Sequence, residues 1–446
     1  MRYEIKKDRL WIFSPVADVI MKADIAVMDE SAGVSIKELK EAIACAVNSN
    51  EVLKSKVILE EDGKAYFMEM PEANYMVTES NQDWKAIIRE QERIPFDLSK
   101  GEYLRIYLIR NGEDEGTVIQ EEKSTAETVT LLLIAHHLAG DGLSFAYLIQ
   151  DIMKALCKEE LVSKPVQLLD LSHFPKESRL NFPMKLMMNG INRSWRKTGK
   201  SFTLEEFREM NAVYWSQNST HVTTYAFTEN RYIALTSAAK KNNVTMNSLI
   251  TTALIKAAKE CGETGRQDVG FAVSIRQKGY TGMGNYASGA SLQYLYDEGK
   301  DFYENARRVQ KQIYHKIKDN KKKYFLLQFL ENIEGTLNDA VYFAAVSGYD
   351  NRTARTFSKM FGYGGNPKGI SITNLTRLPL EAVYGKYELA GVLFIPPVVL
   401  NAKRIIGVAS LGNRMEISFC VREDRNCKEN ILYFNRAMDI LEKLMI

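Results

Sequence analysis

A buried strand that runs directly into a polar turn and a helix constrains this chain more than any other stretch. Residues 129–135, VTLLLIA, are almost wholly apolar, which is typical of a strand buried on both faces. His136 and His137 follow, and the glycines in the next five residues, LAGDG, predict a tight turn. Apolar residues then recur at helical spacing over residues 145–156. Because neighbouring strand residues point to opposite faces, one histidine can face a cleft while the other packs inward.

Four interpretations of this stretch are open from the residues alone. Asp141 can cap the helix while both histidines are hydrogen-bonded core residues. A metal site is less favoured, because adjacent strand histidines diverge and no third ligand cluster is visible. Ser144 could be a nucleophile paired with a histidine, but no Gly-x-Ser-x-Gly elbow surrounds it. Finally, one histidine can be a general base, since histidine titrates near neutrality and can take a proton from a hydroxyl or amine.

Composition excludes several function classes. The 446 residues suffice for two or three domains, and a net charge of +3 without a basic tract argues against a nucleic-acid partner. The five cysteines are scattered and form no CxxC pair. This distribution is typical of a protein in the reducing cytosol, and it argues against a disulfide framework and against a zinc site. The amino terminus lacks the apolar core of a signal peptide, and the longest apolar tract, residues 389–400, is short and contains two prolines. We therefore expect a cytoplasmic protein without a transmembrane segment.

Upstream of the histidine strand, turns alternate with short strands and one helix. Ser35 and Glu38 form a predicted capping box, and the Asp62–Gly63 turn predicts a hairpin. Pro-Phe-Asp-Leu at 95–98 introduces a turn before a strand that contains Leu104 and Arg105. Residues 111–127 are polar and acidic, and we expect a solvated loop there.

The middle of the chain is less regular than its flanks. We predict an amino-terminal lobe over residues 1–165, an interlobe connection over 166–218 and a carboxyl-terminal lobe over 219–446. Within the connection, residues 182–200 place basic side chains among Met, Ile and Trp, a composition that can lie on a membrane surface or bind phosphate. We favour a solvated helix that packs its Met side on the core over a peripheral membrane contact.

The carboxyl-terminal part again alternates strands with helices. Thr245 is expected to cap a helix, an apolar strand ends at Arg276, and residues 369–379, GISITNLTRLP, predict another strand. Asn426 with Glu429 is expected to cap the last helix. Strands interleaved with helices in both halves predict an α/β fold.

The motif HHLAGDG resembles the His-His-x-x-x-Asp-Gly signature of the superfamily that includes chloramphenicol acetyltransferase, peptide-synthetase condensation domains, wax ester synthases and alcohol acyltransferases. Other matches follow in the superfamily's order: the Pro95–Leu98 turn with Leu104-Arg105, Val244-Thr245, Arg276, Gly284-Asn285-Tyr286, and the strand at 369–379. The resemblance covers nearly the whole chain. It implies two chloramphenicol-acetyltransferase-like lobes in a V-shaped pseudo-dimer, with mixed sheets flanked by helices and a site in a tunnel between the lobes.

The chain also departs from relatives within that superfamily. Residues 50–54, NEVLK, stand where condensation domains carry His-Pro-x-Leu-Arg, and the Asp-Phe-Gly-Trp-Gly motif of plant acyltransferases is absent. We expect no carrier or adenylation domain to accompany the chain. These departures favour a free-standing enzyme over an assembly-line or plant-type one.

The resemblance implies a mechanism as well as a fold. His137 would be the general base that moves an acyl group from a thioester, either acyl-coenzyme A or the phosphopantetheine arm of an acyl-carrier protein, to a small-molecule alcohol or amine. His136 would pack inward. No permanently bound cofactor and no metal are expected.

Supporting roles follow from the same resemblance. Asp141 would form an ion pair with Arg276 that ties the lobes together, and Gly142 would leave room for the donor arm. Ser371, Thr373 and Asn374 are the candidate oxyanion donors of the tunnel.

Two other function classes stay open. One is a condensation enzyme of a natural-product pathway that forms amides or esters from carrier-bound substrates. The other is a non-catalytic two-lobed binding protein, which the intact motif disfavours because a decayed site usually loses its base first.

Overall fold

The computed structural model describes residues 2–28, 33–110, 128–167, 169–363 and 367–445, so the acidic stretch 111–127 lies outside the described residues. The strands within these ranges are β1 (Arg2–Glu4), β2 (Asp18–Val27), β3 (Ser55–Leu59), β4 (Ala65–Glu69), β5 (Asn74–Ser80), β6 (Glu102–Arg110), β7 (Thr128–His136), β8 (Thr220–Phe227), β9 (Gln267–Ser274), β10 (Ala287–Tyr294), β11 (Lys368–Arg377), β12 (Val383–Tyr384), β13 (Tyr387–Ile395), β14 (Ala402–Leu411) and β15 (Arg414–Arg422). The helices are α1 (Ile36–Asn48), α2 (Trp84–Gln91), α3 (Gly142–Leu156), α4 (Phe182–Arg196), α5 (Leu204–Gln217), α6 (Glu229–Lys241), α7 (Met246–Glu260), α8 (Phe302–Lys318), α9 (Asn320–Lys323), α10 (Phe325–Asn332), α11 (Gly335–Val346), α12 (Arg352–Met360) and α13 (Cys427–Glu442). A short 3-10 helix, Lys7–Trp11, follows β1.

Two six-stranded sheets organise the described residues, and helices flank both. The first sheet has the strand order β12-β13-β2-β7-β6-β5, and the second has the order β10-β9-β11-β14-β15-β8. Both sheets are mixed, because β5 runs parallel to β6 and β11 runs parallel to β9 and β14, whereas their other neighbours are antiparallel. The predicted α/β class with mixed sheets is therefore confirmed.

The two sheets share chain across the predicted lobe boundary. Strand β13 belongs by sequence to the carboxyl-terminal lobe, yet it pairs antiparallel with β2, with Ile395 opposite Ile20. It also contacts β14 and β15 of the second sheet. Crossover by this strand means that the first sheet is completed only after most of the second has been synthesised.

Strand β7 lies inside the first sheet, between β2 and β6. Its apolar residues are at most 1% exposed, His136 is 4% and Thr130 7% exposed, and only Thr128, at the start of the strand, is not fully buried. Burial on both faces explains the continuous apolar run in the sequence. Helix α3 follows directly and packs against α1, so the residues between β7 and α3 are fixed at both ends.

Several predicted boundaries are confirmed, and one cap is wrong. Ser35 accepts a hydrogen bond from the Glu38 N–H at the start of α1, and Thr245 accepts one from the Ser248 N–H at the start of α7. The side chain of Asn426 makes no capping bond to α13, because the turn before that helix is closed instead by the Asn426 N–H donating to Asp424. Helices α9 to α12 were not predicted.

Helix α4 only partly matches the expectation that its methionines pack on the core. Met188 and Trp195 are buried, but Phe182 is 78% exposed, Leu186 62% and Met187 43%. Among the helices of the described ranges, none has the length and apolar character needed to cross a bilayer.

Candidate active site

His136 is the inward-facing member of the histidine pair. It ends β7 and is 4% exposed, its Nδ1 accepts a hydrogen bond from the Leu138 N–H at 3.2 Å, and the Phe96 ring meets its edge at 5.7 Å. Burial, followed by the charges of His137 and Arg105, lowers the pKa of His136 to about 3. His136 is therefore a neutral packing residue near neutral pH.

His137 is half-buried and oriented from two sides. Its backbone N–H donates to the Ala17 carbonyl at 2.8 Å, and the Trp11 ring lies parallel to the imidazole with centroids 4.1 Å apart. Burial lowers the pKa of His137, although the carboxylates of Asp141 and Asp8 oppose the shift. The His137 Nδ1 is buried and has no hydrogen-bond partner among the described residues. A neutral imidazole has an in-plane lone pair, which stacking on the ring face does not engage.

Trp11 connects this histidine to the main cavity of the described residues. The cavity has a volume of about 530 Å³, and His137 does not line it, whereas Trp11 does. Its walls come from the amino-terminal segment (Leu10, Trp11), from α4 (Met184, Met187) and from the second sheet (Phe271, Ser371). Sequence reasoning missed Trp11, since no spacing or motif in residues 7–13, KDRLWIF, singles it out.

The three candidate oxyanion donors do not lie together. Ser371 and Thr373 line the 530 Å³ cavity, but Asn374 lines a second cavity of about 260 Å³. There the Asn374 amide donates to Asn247 at 3.3 Å, and its carbonyl accepts from the Thr376 N–H at 2.7 Å. Adjacent strand residues face opposite sides of a sheet, which explains the separation.

Asp141 and Arg276 meet across the two halves of the chain. The Arg276 Nη2 donates to the Asp141 Oδ1 at 2.9 Å, and both side chains are less than a tenth exposed. The same carboxylate accepts from the Ser144 N–H at 2.9 Å, as a helix cap, and from the Tyr286 N–H at 2.9 Å. Capping and ion pairing, which the sequence presented as alternatives, therefore occur together.

Ser144 is held by hydrogen bonds, and Gly142 is closely packed against neighbouring side chains. The Ser144 hydroxyl donates to the Gly284 carbonyl at 2.6 Å and accepts from Arg276 at 2.5 Å, which leaves it unsuited to act as a nucleophile. A Cβ at Gly142 would lie 2.7 Å from Phe394 and 3.0 Å from Leu375. The space beside Gly142 is thus filled by β13 and β11 side chains, rather than left open for a donor arm as the resemblance implied.

The turn at 95–98 packs against His136 through the Phe96 ring. Arg105 is 3% exposed, and its guanidinium donates to the Ile94 carbonyl at 2.8 Å and the Pro95 carbonyl at 3.1 Å. It also lies 4.2 Å from the centre of the Phe96 ring, which in turn contacts His136. This segment therefore has a structural role.

Among the described residues, no three His, Cys, Asp or Glu side chains are grouped to hold a metal ion.

Comparisons with known proteins identify the family. A family model for the condensation domain matches residues 9–351, whereas a search of curated proteins finds no match. Similar solved structures include the TRI3 trichothecene 15-O-acetyltransferase from Fusarium sporotrichioides, with 11% identity, a TM-score of 0.64, and coverage of 99% of this chain and 95% of that one. The first condensation domain of the CDA synthetase has 11% identity, a TM-score of 0.61, and coverage of 100% and 96%. The epimerization domain from the third module of tyrocidine synthetase B has 15% identity, a TM-score of 0.58, and coverage of 100% and 97%.

At these identities the similarity concerns the two-lobed fold. The names of the three proteins describe acetyl transfer, condensation and epimerization, so the shared fold does not by itself select a reaction. The family model, in contrast, spans well over half of the sequence. The chain therefore belongs to the condensation-domain family.

Proposed function

We propose that this protein is an acyltransferase that moves an acyl group from a thioester to an alcohol or amine, with His137 as general base. The observation that carries the proposal is the neutral, oriented imidazole of His137, stacked on a tryptophan that lines the main cavity. A base that is neutral near pH 7 can take a proton from a hydroxyl or amine.

The proposed reaction balances without a covalent enzyme intermediate. The acceptor O–H or N–H gives its proton to His137 while its oxygen or nitrogen attacks the thioester carbonyl carbon. The tetrahedral intermediate collapses by breaking the carbon–sulfur bond, and the imidazolium returns the proton to the departing thiolate. Ser371 and Thr373 are the hydroxyl donors proposed for the oxyanion, whereas Asn374 is no longer a candidate because it lines the other cavity.

Two donors are compatible with this mechanism. Acyl-coenzyme A and an acyl-carrier protein present the same phosphopantetheine thioester. The match to the condensation-domain family supports the carrier-bound donor as a second candidate beside acyl-coenzyme A. With a carrier-bound donor, the protein would be a free-standing condensation enzyme. Its acceptor would be an alcohol or amine, either as a small molecule or bound to a carrier protein.

The test is a parallel assay with both donors. Purified protein is incubated with acyl-coenzyme A or with an acyl-carrier protein, each against a panel of alcohols and amines, and products are quantified by mass spectrometry. We expect a product with at least one donor, and a rate about 10²–10⁴-fold lower with His137→Ala. Equal product yield from the wild type and His137→Ala would contradict the proposal, and absence of product from every combination would favour a binding protein.

A further inference from the structure

The 530 Å³ cavity has one apolar side and one polar side. The apolar side comes from Leu10 and from helices α4, α10 and α12, through Met184, Met187, Phe325, Phe329 and Met360. The polar groups come from the second sheet and its flanking segments: Ser288, Lys368, Ser371, Thr373 and Asn401. A cavity with this division suits a ligand that has an apolar body and a polar head.

Lys368 is the one charged side chain among the described residues that line this cavity. No Asp or Glu lines it, and within the described parts of the chain the Lys368 Nζ makes no hydrogen bond or ion pair. Burial lowers the pKa of Lys368, and the charge of Asp268 on β9 opposes the shift without forming an ion pair. A partly desolvated ammonium without a partner is costly, so an anion brought by a ligand would be stabilised there.

The fold provides space for this lysine. A Cβ added to Gly270 would lie 3.1 Å from the Lys368 Cδ and 3.3 Å from its Nζ. The lysine side chain therefore passes directly over the backbone of β9 at a position without a side chain. A larger residue at 270 would press against the lysine side chain and shift it by at least a few tenths of an ångström.

The apolar side of the same cavity reaches the surface. Phe325 is 46% exposed, Met360 52% and Met187 43%, and all three line the cavity. Large apolar side chains at an opening allow an apolar chain to enter without losing contact with protein. A single ammonium, without arginine or further basic side chains beside it, fits a carboxylate better than a more highly charged phosphate.

We infer that this cavity binds an amphiphilic carboxylic acid, with its carboxylate on Lys368 and its apolar chain against the α4, α10 and α12 side chains. The inference rests on the proposed function, because it assigns a substrate class to the cavity lined by Trp11, the stacking partner of His137. The reacting hydroxyl, amine or thioester of this ligand is a different group from the carboxylate that Lys368 binds. Lys368 is a specificity residue and takes no part in proton transfer.

The test measures binding without donor and without turnover. Dodecanoate and dodecyl alcohol, which differ only in the head group, are titrated below their aggregation limits into the full-length protein near neutral pH, with isothermal titration calorimetry as the readout. Lys368→Met should weaken dodecanoate binding about 10-fold or more, as expected for a lost hydrogen bond to a charged group. It should leave dodecyl alcohol binding unchanged, and Lys368→Arg should restore most of the dodecanoate affinity.

Matched controls separate the possible outcomes. Lys403 is exposed on β14 next to the cavity-lining Ala402, so Lys403→Met removes an equal charge from the same sheet and should change neither affinity. Unaltered dodecyl alcohol binding shows that Lys368→Met folds. Equal weakening of both ligands, no weakening of either, or no dodecanoate binding to the wild type would each overturn the inference. His137→Ala should bind dodecanoate like the wild type, so loss of the proposed chemistry and loss of this site are told apart.

Discussion

Breaking the contact between Asp141 and Arg276 should expose how strongly the two halves of the chain depend on each other. The Asp141 carboxylate accepts three hydrogen bonds, from the Ser144 N–H, the Tyr286 N–H and Arg276, each at 2.9 Å. Arg276 also donates to the Gly282 carbonyl at 2.7 Å and lies 4.4 Å from the Tyr286 ring centre. With side chains 7% and 5% exposed, either partner alone would be a buried unpaired charge.

The magnitude follows from which contacts each substitution removes. Asp141→Asn keeps a capping oxygen for α3, and Asn caps about as well as Asp, so its cost measures mainly the lost charge. We expect Asp141→Asn and Arg276→Met each to lower the free energy of unfolding by about 3–5 kcal/mol. The double variant should cost less than the sum of the two, with a coupling energy of about 1–3 kcal/mol.

Urea unfolding of the wild type, both single variants and the double variant closes the cycle. Lys40 and Glu79 provide a matched control, since they are 2.7 Å apart but 43% and 50% exposed, and their coupling should stay below about 1 kcal/mol. A coupling energy for Asp141 and Arg276 that is indistinguishable from zero would refute the reasoning, because independent losses simply add.

Four further outcomes are expected. His137→Ala should lower turnover about 10²–10⁴-fold with the fold intact. His136→Ala should instead lower the free energy of unfolding by about 1–3 kcal/mol, because it leaves the Leu138 N–H unpaired. Turnover and circular dichroism are measured for both variants, and an exchange of the two effects would contradict these roles. Because the pKa of His137 is lowered, the acid limb of kcat/KM should have its midpoint below 6.5, and a midpoint at or above 6.5 would count against the assignment. Burial raises the pKa of Asp18 to about 7, so its contribution to stability is fully present below its unfolded pKa of about 4 and is lost as pH rises through 7. Asp18→Asn should therefore reduce the loss of unfolding free energy between pH 5 and pH 8. An unchanged dependence of the unfolding free energy on pH would rule this out. Kinetics should show a ternary complex, and an acyl adduct in intact mass spectra after donor alone would indicate a nucleophile instead.

Local pattern was sufficient for the strand and helix that frame the site. The apolar run before His136 and the helical spacing after Gly142 each reflect burial along one element, and such periodicities are visible in a single sequence. The superfamily resemblance supplied the pairing of Asp141 with Arg276, which local pattern left open. Alternation along β11 alone would also have separated Asn374 from Ser371 and Thr373.

Other contacts between distant segments could not be predicted from the sequence. Trp11 stacks on a histidine 126 positions away, and nothing in its own neighbourhood indicates that partner. Strand β13 joins the first sheet although its neighbours along the chain belong to the second. The Lys368 side chain passes close over Gly270, which lies on another strand. Each of these depends on tertiary packing, which periodicity does not encode.

The orientation of the proposed base depends on chain segments that the His-His-x-x-x-Asp-Gly motif does not contain. The Ala17 carbonyl fixes the backbone of His137, and Trp11 fixes the plane of its ring. Asp141, four residues on, is held by Arg276 and Tyr286 of the second half of the chain. A ligand that moves Trp11 in the cavity should therefore change the direction of the imidazole. The motif contributes the proposed base, whereas the amino-terminal segment contributes the contacts that orient it.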